Sequence, residues 1–266
     1  MAASYKDKIE EKQVLKSVKA LLKWKKNKSN SQSIHELSSS DDDEHHHHQH
    51  DGDDFIYLSV TLIKPPPKTL TLSPHRIPLR HSLHPIDFSA LNSCLIVDGK
   101  KITAESSNKI LASKGIPFIK RVLKLPKLKS DYKSFESKQK LYDSFDLFFA
   151  DRNTITLLPS VLGKVFYRKK KKIPVPLDLK PDGSNWKEEI ENAFNSSLLC
   201  LSGGTCSAVR VGKWGVNESD EIVENVCDAI DGVLGIVGKK WGGIRCFHLK
   251  FSDSLALPIY EKRVVL

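Results

Sequence analysis

The chain has no apolar run approaching the ~20 residues of a membrane span, and no apolar stretch follows its lysine-rich N-terminus. A secretory or membrane-spanning role is therefore not expected. Cysteine is sparse: Cys94, Cys200, Cys206, Cys227 and Cys246 are odd in number, scattered and never in a CxxC spacing. Most sit inside apolar runs, as reduced, buried thiols do, which favours a reducing compartment and gives no support to a zinc site. Glycine is never gathered into a phosphate cradle. No Gly-x-Gly-x-x-Gly follows the first strand of the middle region, no Gly-x-x-x-x-Gly-Lys-Ser/Thr occurs, and Gly99 and Gly115 stand alone. Matched Ser/His/Asp or Cys/His sets at recognisable spacing are also missing, so neither catalysis nor a cofactor is expected.

What is present in excess is positive charge. The 266 residues carry a net +10, yet eight of the 32 acids fall between Glu36 and Asp54, where there is no lysine or arginine. The remainder sets 42 basic residues against 24 acidic ones, a net +18. A folded body of that charge favours a polyanion, most often nucleic acid, against the alternative of a merely soluble basic surface. The acid-rich segment itself, within residues 27–54, is too polar to offset the entropy of ordering and is expected as a disordered loop. Its histidines His45 to His48 cannot all face one ion, so no metal site is assigned. Ser38, Ser39 and Ser40 each precede an acid by three residues, the spacing acidophilic kinases favour.

Periodicity divides the chain into three regions. Residues 6–26 read as an amphipathic helix with Val14, Leu15, Val18, Leu21 and Leu22 on one face; Lys12, Lys16, Lys19, Lys23 and Lys26 lie on another, as a solvated face or a phosphate-facing ridge. Phe55 to Ile63 is a strand closed by Lys64 and three prolines, and Leu70 to Leu79 a second extended stretch carrying His75 and Arg76, with Arg80 and His81 beyond. From Asn92 the pattern alternates as βαβ units: strands at 92–98, 118–123 and 145–150, helices near 106–113 and 130–142. Asp151 and Asn153 then offer N-caps for a helix with Ile155, Leu158, Val161, Leu162 and Phe166 on one face. Arg168, Lys169, Lys170, Lys171 and Lys172 follow, and Pro174-Val175-Pro176 reads as a stiff exit. Beyond it the expectation is α+β: a helix capped by Asn185 with Glu188 in capping-box position, strands 198–201 and 206–211 joined at Gly203-Gly204, a long helix capped by Asn217, and strands at 244–251 and 255–260. The N-terminal helix and the Phe55 strand lack sequence-local partners and are expected to join this last sheet, which makes the middle region an insertion.

FDLFFAD followed by LLPSVLGK, the Lys-Pro exit and SAVRVGKWGVNESDEIVENV together resemble the ribosomal protein L1 family, over nearly the whole chain outside the acidic segment. RIPLRHSLHP, FYRKKKKIPVPLDL and ALPI look closest to its eukaryotic nucleolar branch of L1 domain-containing ribosome biogenesis factors. The resemblance implies a two-domain α/β fold, a split α+β domain at 1–87 and 173–266 around an inserted Rossmann-like, three-layer βαβ domain at 88–172. It also implies a nuclear, nucleolar, non-catalytic protein that binds ribosomal precursor RNA and meets pre-ribosomal assembly proteins, without membrane, small-molecule substrate or cofactor. The alternatives are a protein-interaction module with little RNA binding and a true large-subunit stalk protein. Family members grip RNA with a Thr-Met-Gly-Pro strand-end loop; Ser252-Asp253-Ser254-Leu255 stands at that place, keeping hydroxyls at Ser252 and Ser254. The family's Gly-Lys after a strand matches Gly212-Lys213. RNA contact is expected at Lys213, with Arg210 and Trp214 beside it, Trp214 being equally readable as core; Lys64 and Arg76 complete the candidate set. Arg168 to Lys172 reads as import signal, RNA contact or solvated hinge.

Overall fold

Alternation in FIYLSVTL makes β1 (Phe55–Leu62) a strand with one buried face: Ile56, Leu58, Val60 and Leu62 are buried while the residues between them are half-exposed. The computed structural model describes residues 9–36, 54–84, 91–99, 104–116, 118–168, 172–237 and 243–262. The chain forms two compact units, Met1–Pro67 with Ile77–His84 and Leu199–Leu266, and Lys68–Arg76 with Pro85–Leu198. Elements are numbered along the whole chain.

In the first unit, β1 pairs antiparallel on both sides, with β8 (Cys206–Lys213) and β9 (Ile244–Lys250), and β10 (Leu257–Glu261) adds to β9. The order is β10-β9-β1-β8. Two helices, α1 (Glu11–Glu36) and α10 (Ser219–Val237), pack against each other and against this sheet. Val14, Val18 and Leu21 of α1 and Ile222, Val226, Ile230 and Val233 of α10 are buried, as their spacing predicts. The helix α1 runs beyond its expected end at 26, so residues 27–36 are helical rather than loop; the segment with Ser38–Ser40 and His45–His48 lies outside the described residues.

The second unit is a parallel sheet in the order β4-β3-β5-β6, built from β3 (Ser93–Val97), β4 (Ile119–Lys124), β5 (Leu147–Asp151) and β6 (Val175–Leu177). Alternate residues of β3 and β5 face opposite layers. Leu95, Val97 and Phe149 meet α3 (Ala104–Lys114) and α9 (Trp186–Phe194) through Leu111, Trp186, Ile190 and Ala193. Cys94, Ile96, Phe148 and Ala150 meet α4 (Leu125–Asp131), α5 (Phe135–Ser144), α6 (Arg152–Ile155), α7 (Leu158–Leu162) and α8 (Lys164–Tyr167). Both faces are therefore covered, the usual condition of a parallel sheet. The fold is the expected α/β one, an antiparallel unit split in sequence around a three-layer βαβ unit.

Several local expectations are corrected. Pro174-Val175-Pro176, read as a stiff exit, instead runs into the fourth parallel strand, Val175–Leu177; it lies on the sheet edge, where a proline costs no ladder bond. With Trp186 fully buried and its indole N–H donating to Lys180 O at 2.8 Å, α9 also belongs to the second unit. The helix expected after Asp151 is three short turns. Gly163, at φ +66°, ends α7 with its N–H donating to Pro159 O at 3.1 Å, and Asp151 makes no side-chain cap bond. The helix expected at 130–142 is split, because Ser134 stops the chain and caps α5 by accepting from Ser137 N at 3.2 Å. Leu70 to Leu79 holds a short helix, α2 (Lys68–Thr71), before β2 (His75–Pro78). No Gly203-Gly204 hairpin forms: β7 (Ser196–Leu199) pairs with β2, and β8 with β1. Asn185 caps nothing with its side chain; it donates to Asp178 O at 2.6 Å and accepts from Lys180 N at 3.1 Å.

Burial in the parallel sheet pushes the Cys94 thiol up to about 12, with Arg121 offsetting part of the rise. Cys206 is exposed. Brief alkylation of the native protein at pH 8 followed by peptide mass mapping is expected to label Cys206 and leave Cys94 unmodified until denaturant is added.

Candidate nucleic-acid interface

Strand direction decides where the cations of the first unit gather. Phe55 lies opposite Lys213 of β8, and Tyr57 lies opposite both Arg210 of β8 and Lys250 of β9. The β1–β8 register slips between Ile56 and Tyr57, leaving Val211 as an extra residue on β8. The slip brings Arg210 and Lys213 to one ring: the Arg210 Cζ stands 4.4 Å from the Phe55 centroid and the Lys213 Nζ 5.5 Å.

The C-terminal half of α1 reaches the same end of the sheet. Trp24 stacks on Phe251 with centroids 6.0 Å apart; Lys25 Nζ lies 5.5 Å from the Phe251 ring and Lys28 Nζ 5.2 Å from the Trp24 ring. Both lysines also have carboxylate partners. Lys25 pairs with Asp54 at 2.9 Å, and Asp54 O accepts from Trp214 N at 2.8 Å. Lys28 donates to Asp253 in the loop between β9 and β10. That hydrogen bond holds the Asp253 carboxyl below the usual carboxylate range, against a smaller opposing effect of burial. The Ser254 hydroxyl fixes the loop by accepting from Phe251 N at 2.9 Å and donating to Leu255 O at 3.0 Å. Leu255 is 84% exposed at its tip.

The end of β8 is set by packing on α10. Gly212 is buried inside the strand; a Cβ there would stand 2.7 Å from Ile222 Cγ1. Asn217 closes the following turn, accepting from Lys213 N at 3.1 Å and donating to Ser82 O at 3.0 Å. The acidic side of α10 holds the segment after β2. Arg80 pairs with Asp228 at 3.3 Å and Glu224 at 3.6 Å, and His81 meets Glu224 at 3.0 Å. Asn225, fully buried, accepts from His81 N and donates to His81 O and Val211 O, each at 3.0–3.1 Å.

Of the expected site residues, Arg210, Lys213, Trp214, Ser252 and Ser254 therefore come together at one end of the antiparallel sheet. Trp214 is half-buried with its main chain tied to Asp54, Ser252 is exposed, and the Ser254 hydroxyl is occupied within its own loop. Lys64 is exposed but follows the opposite end of β1, where Ile63 N bonds Gly243 O. Arg76 belongs to the second unit and is committed to Glu189 at 2.8 Å and Pro176 O at 3.3 Å. In the basic run, Arg168 is exposed, Lys169 to Lys171 lie outside the described residues, and Lys172 turns inward. Its Nζ donates to Tyr142 O and Phe145 O at 3.0 and 2.8 Å, satisfying carbonyls at the C-terminal end of α5. Sequence reasoning missed Lys25, Lys28, Phe55, Tyr57 and Lys250. The five lysines of the α1 ridge, Lys12, Lys16, Lys19, Lys23 and Lys26, are all exposed.

A split antiparallel unit around a parallel three-layer unit is the L1-like architecture. The chain belongs to the ribosomal protein L1p/L10e family, whose family model matches residues 14–255. It is similar to Ribosomal L1 domain-containing protein 1 of Mus musculus, 29% identical over 261 residues, covering 96% of this chain and 52% of that protein. A Schizosaccharomyces pombe protein named as a ribosome biogenesis protein is 31% identical over 246 residues, covering 91% of this chain and 63% of its own length. A second such S. pombe protein is 28% identical over 207 residues, 77% of this chain and 70% of the relative. The chain thus spans between half and two thirds of the first two relatives.

Gly212 tests how the site is supported. Its backbone is not in a left-handed conformation, so Gly212→Ala is expected to destabilise through the Ile222 contact alone, by about 1–3 kcal/mol. Chemical denaturation should register that loss, and the same substitution made in an Ile222→Ala chain should cost less, because the γ-carbons that crowd the new Cβ are gone.

Proposed function

We propose that this chain is a non-catalytic RNA-binding factor of ribosome biogenesis that works in the nucleolus on ribosomal precursor RNA, beside pre-ribosomal assembly proteins. The names of two of its relatives support a role in ribosome biogenesis. The observation that carries the reading to RNA is the convergence of Arg210, Lys213 and Lys250 with Phe55 and Tyr57 at one end of the split unit's sheet. Cations interleaved with aromatic rings suit a folded or looped RNA: the cations neutralise phosphates, and a guanidinium held against a ring offers a flat face to an unstacked base. Recognition of this kind works by shape and backbone contact, and its salt dependence counts the phosphates engaged.

The rival reading, a protein-interaction module, draws on Lys25 and Lys28 being already paired with Asp54 and Asp253. Crosslinking the protein to RNA in cells and mapping the reads separates the two. Recovery of ribosomal precursor RNA is expected, and its absence favours the protein module. In vitro, Arg210→Ala and Lys213→Ala should each weaken RNA binding across sequences and reduce the salt slope by roughly 0.7–0.9. Fluorescence anisotropy at several salt concentrations checks this.

The basic run is divided in the same proposal, with Arg168 to Lys171 serving nuclear import and Lys172 serving the fold. Neutral replacements at 168–171 should leave thermal stability unchanged and hold a fluorescent fusion in the cytoplasm. Lys172→Ala should lower the melting temperature, because it strands the Tyr142 and Phe145 carbonyls.

A further inference from the structure

Asp253 holds a lysine of α1 at the end of the sheet. The Ser254 turn fixes the β9–β10 loop, so the Asp253 carboxylate is presented to α1 by a rigid frame rather than by a free side chain. It takes the Lys28 ammonium, which also stands 5.2 Å from the Trp24 ring, and Trp24 in turn stacks on Phe251 at the root of the same loop. Lys25, one turn earlier, is also within the electrostatic reach of Asp253 and is paired with Asp54. Two of the cations at this sheet end are therefore neutralised by carboxylates from two other segments. The Lys28–Asp253 pair is only partly buried, with side chains 38% and 34% exposed, so solvent screens it and an anion can reach it.

We propose that Asp253 is a specificity determinant of the RNA interface, an internal anion that occupies Lys28 and lowers affinity for RNA in general. An RNA whose backbone follows the sheet end displaces the carboxylate and gains the Lys28 contact; one that touches only Arg210 and Lys213 leaves the pair closed. The inference rests on the RNA-binding reading above, and the two fail in different ways.

The test uses the whole chain and a fluorescein-labelled oligouridylate, followed by anisotropy across a potassium chloride series. Asp253→Asn keeps the side-chain shape and removes the charge. It is expected to tighten oligouridylate binding about fivefold at low salt and to steepen the salt slope by about 0.7, one further phosphate contact on a single strand. The gain should depend on Lys28: Lys28→Met combined with Asp253→Asn should show no steeper salt slope than Lys28→Met alone. If Asp253→Asn binds with unchanged affinity and slope while the wild type binds RNA, the proposal is overturned and the RNA reading stands. It is equally overturned if Lys28→Met weakens binding by the same factor with and without the Asp253 charge. If the wild type binds neither oligouridylate nor precursor RNA, the underlying RNA reading fails and this inference fails with it.

Discussion

The first unit depends on the pairing of β1 along both of its edges. Every inward side chain of that strand, from Ile56 to Leu62, is buried, and its backbone groups are shared between β8 and β9. Because side chains alternate along a strand, the register that buries the four aliphatic residues also sends Phe55 and Tyr57 outward. There they meet Lys213, Arg210 and Lys250. Core and candidate interface are thus two faces of one register choice, and a slip by one residue would bury the aromatics and expose the aliphatics.

Net charge overstates how much cation is available to a partner. Arg76, Arg80, Lys172, Lys25 and Lys28 are each engaged inside their own unit, holding a glutamate, an acidic helix face, two helix-end carbonyls or an aspartate. The tract from His75 to His81, which reads as a basic patch, largely binds α9 and α10 instead. Among the described residues the lysines of the α1 ridge are exposed, while Arg210 and Lys213 lie against Phe55. The distinction matters for salt dependence, since cations already paired within the fold release fewer counterions on binding.

Much of the fold was legible because its strands are either alternating, as in β1, or continuously apolar, as in β3 and β5. The three-residue β6 was not: a proline at its centre reads as a stiff linker, and only the sheet edge explains why it is tolerated. Short helices were merged where a break lay at Ser134 or Gly163, since period alone does not register a stop. At the candidate site, Arg210, Lys213 and the Ser252–Ser254 loop are expected by resemblance, and the fold brings them to one end of the sheet. Lys25 and Lys28 were missed although a signal existed: they continue the 14, 18, 21 spacing of the buried stripe of α1, which marks them as inward-facing and engaged. Phe55 and Tyr57 were seen only as strand residues, because their cationic neighbours come from distant segments that no local pattern brings together.

That remoteness has a consequence for synthesis. Ser59 pairs with Ala208 and His248, so α1 and β1 leave the ribosome long before any strand that can cover them exists. The second unit completes its parallel sheet at Leu177 and its covering helix at Phe194, ahead of β8 and β9. The interior unit consequently closes first, while an amphipathic helix and a bare, half-apolar strand wait as nascent chain. In a translating cell, this stretch is the one in need of chaperone protection, and a pause after Phe194 would lengthen its exposure.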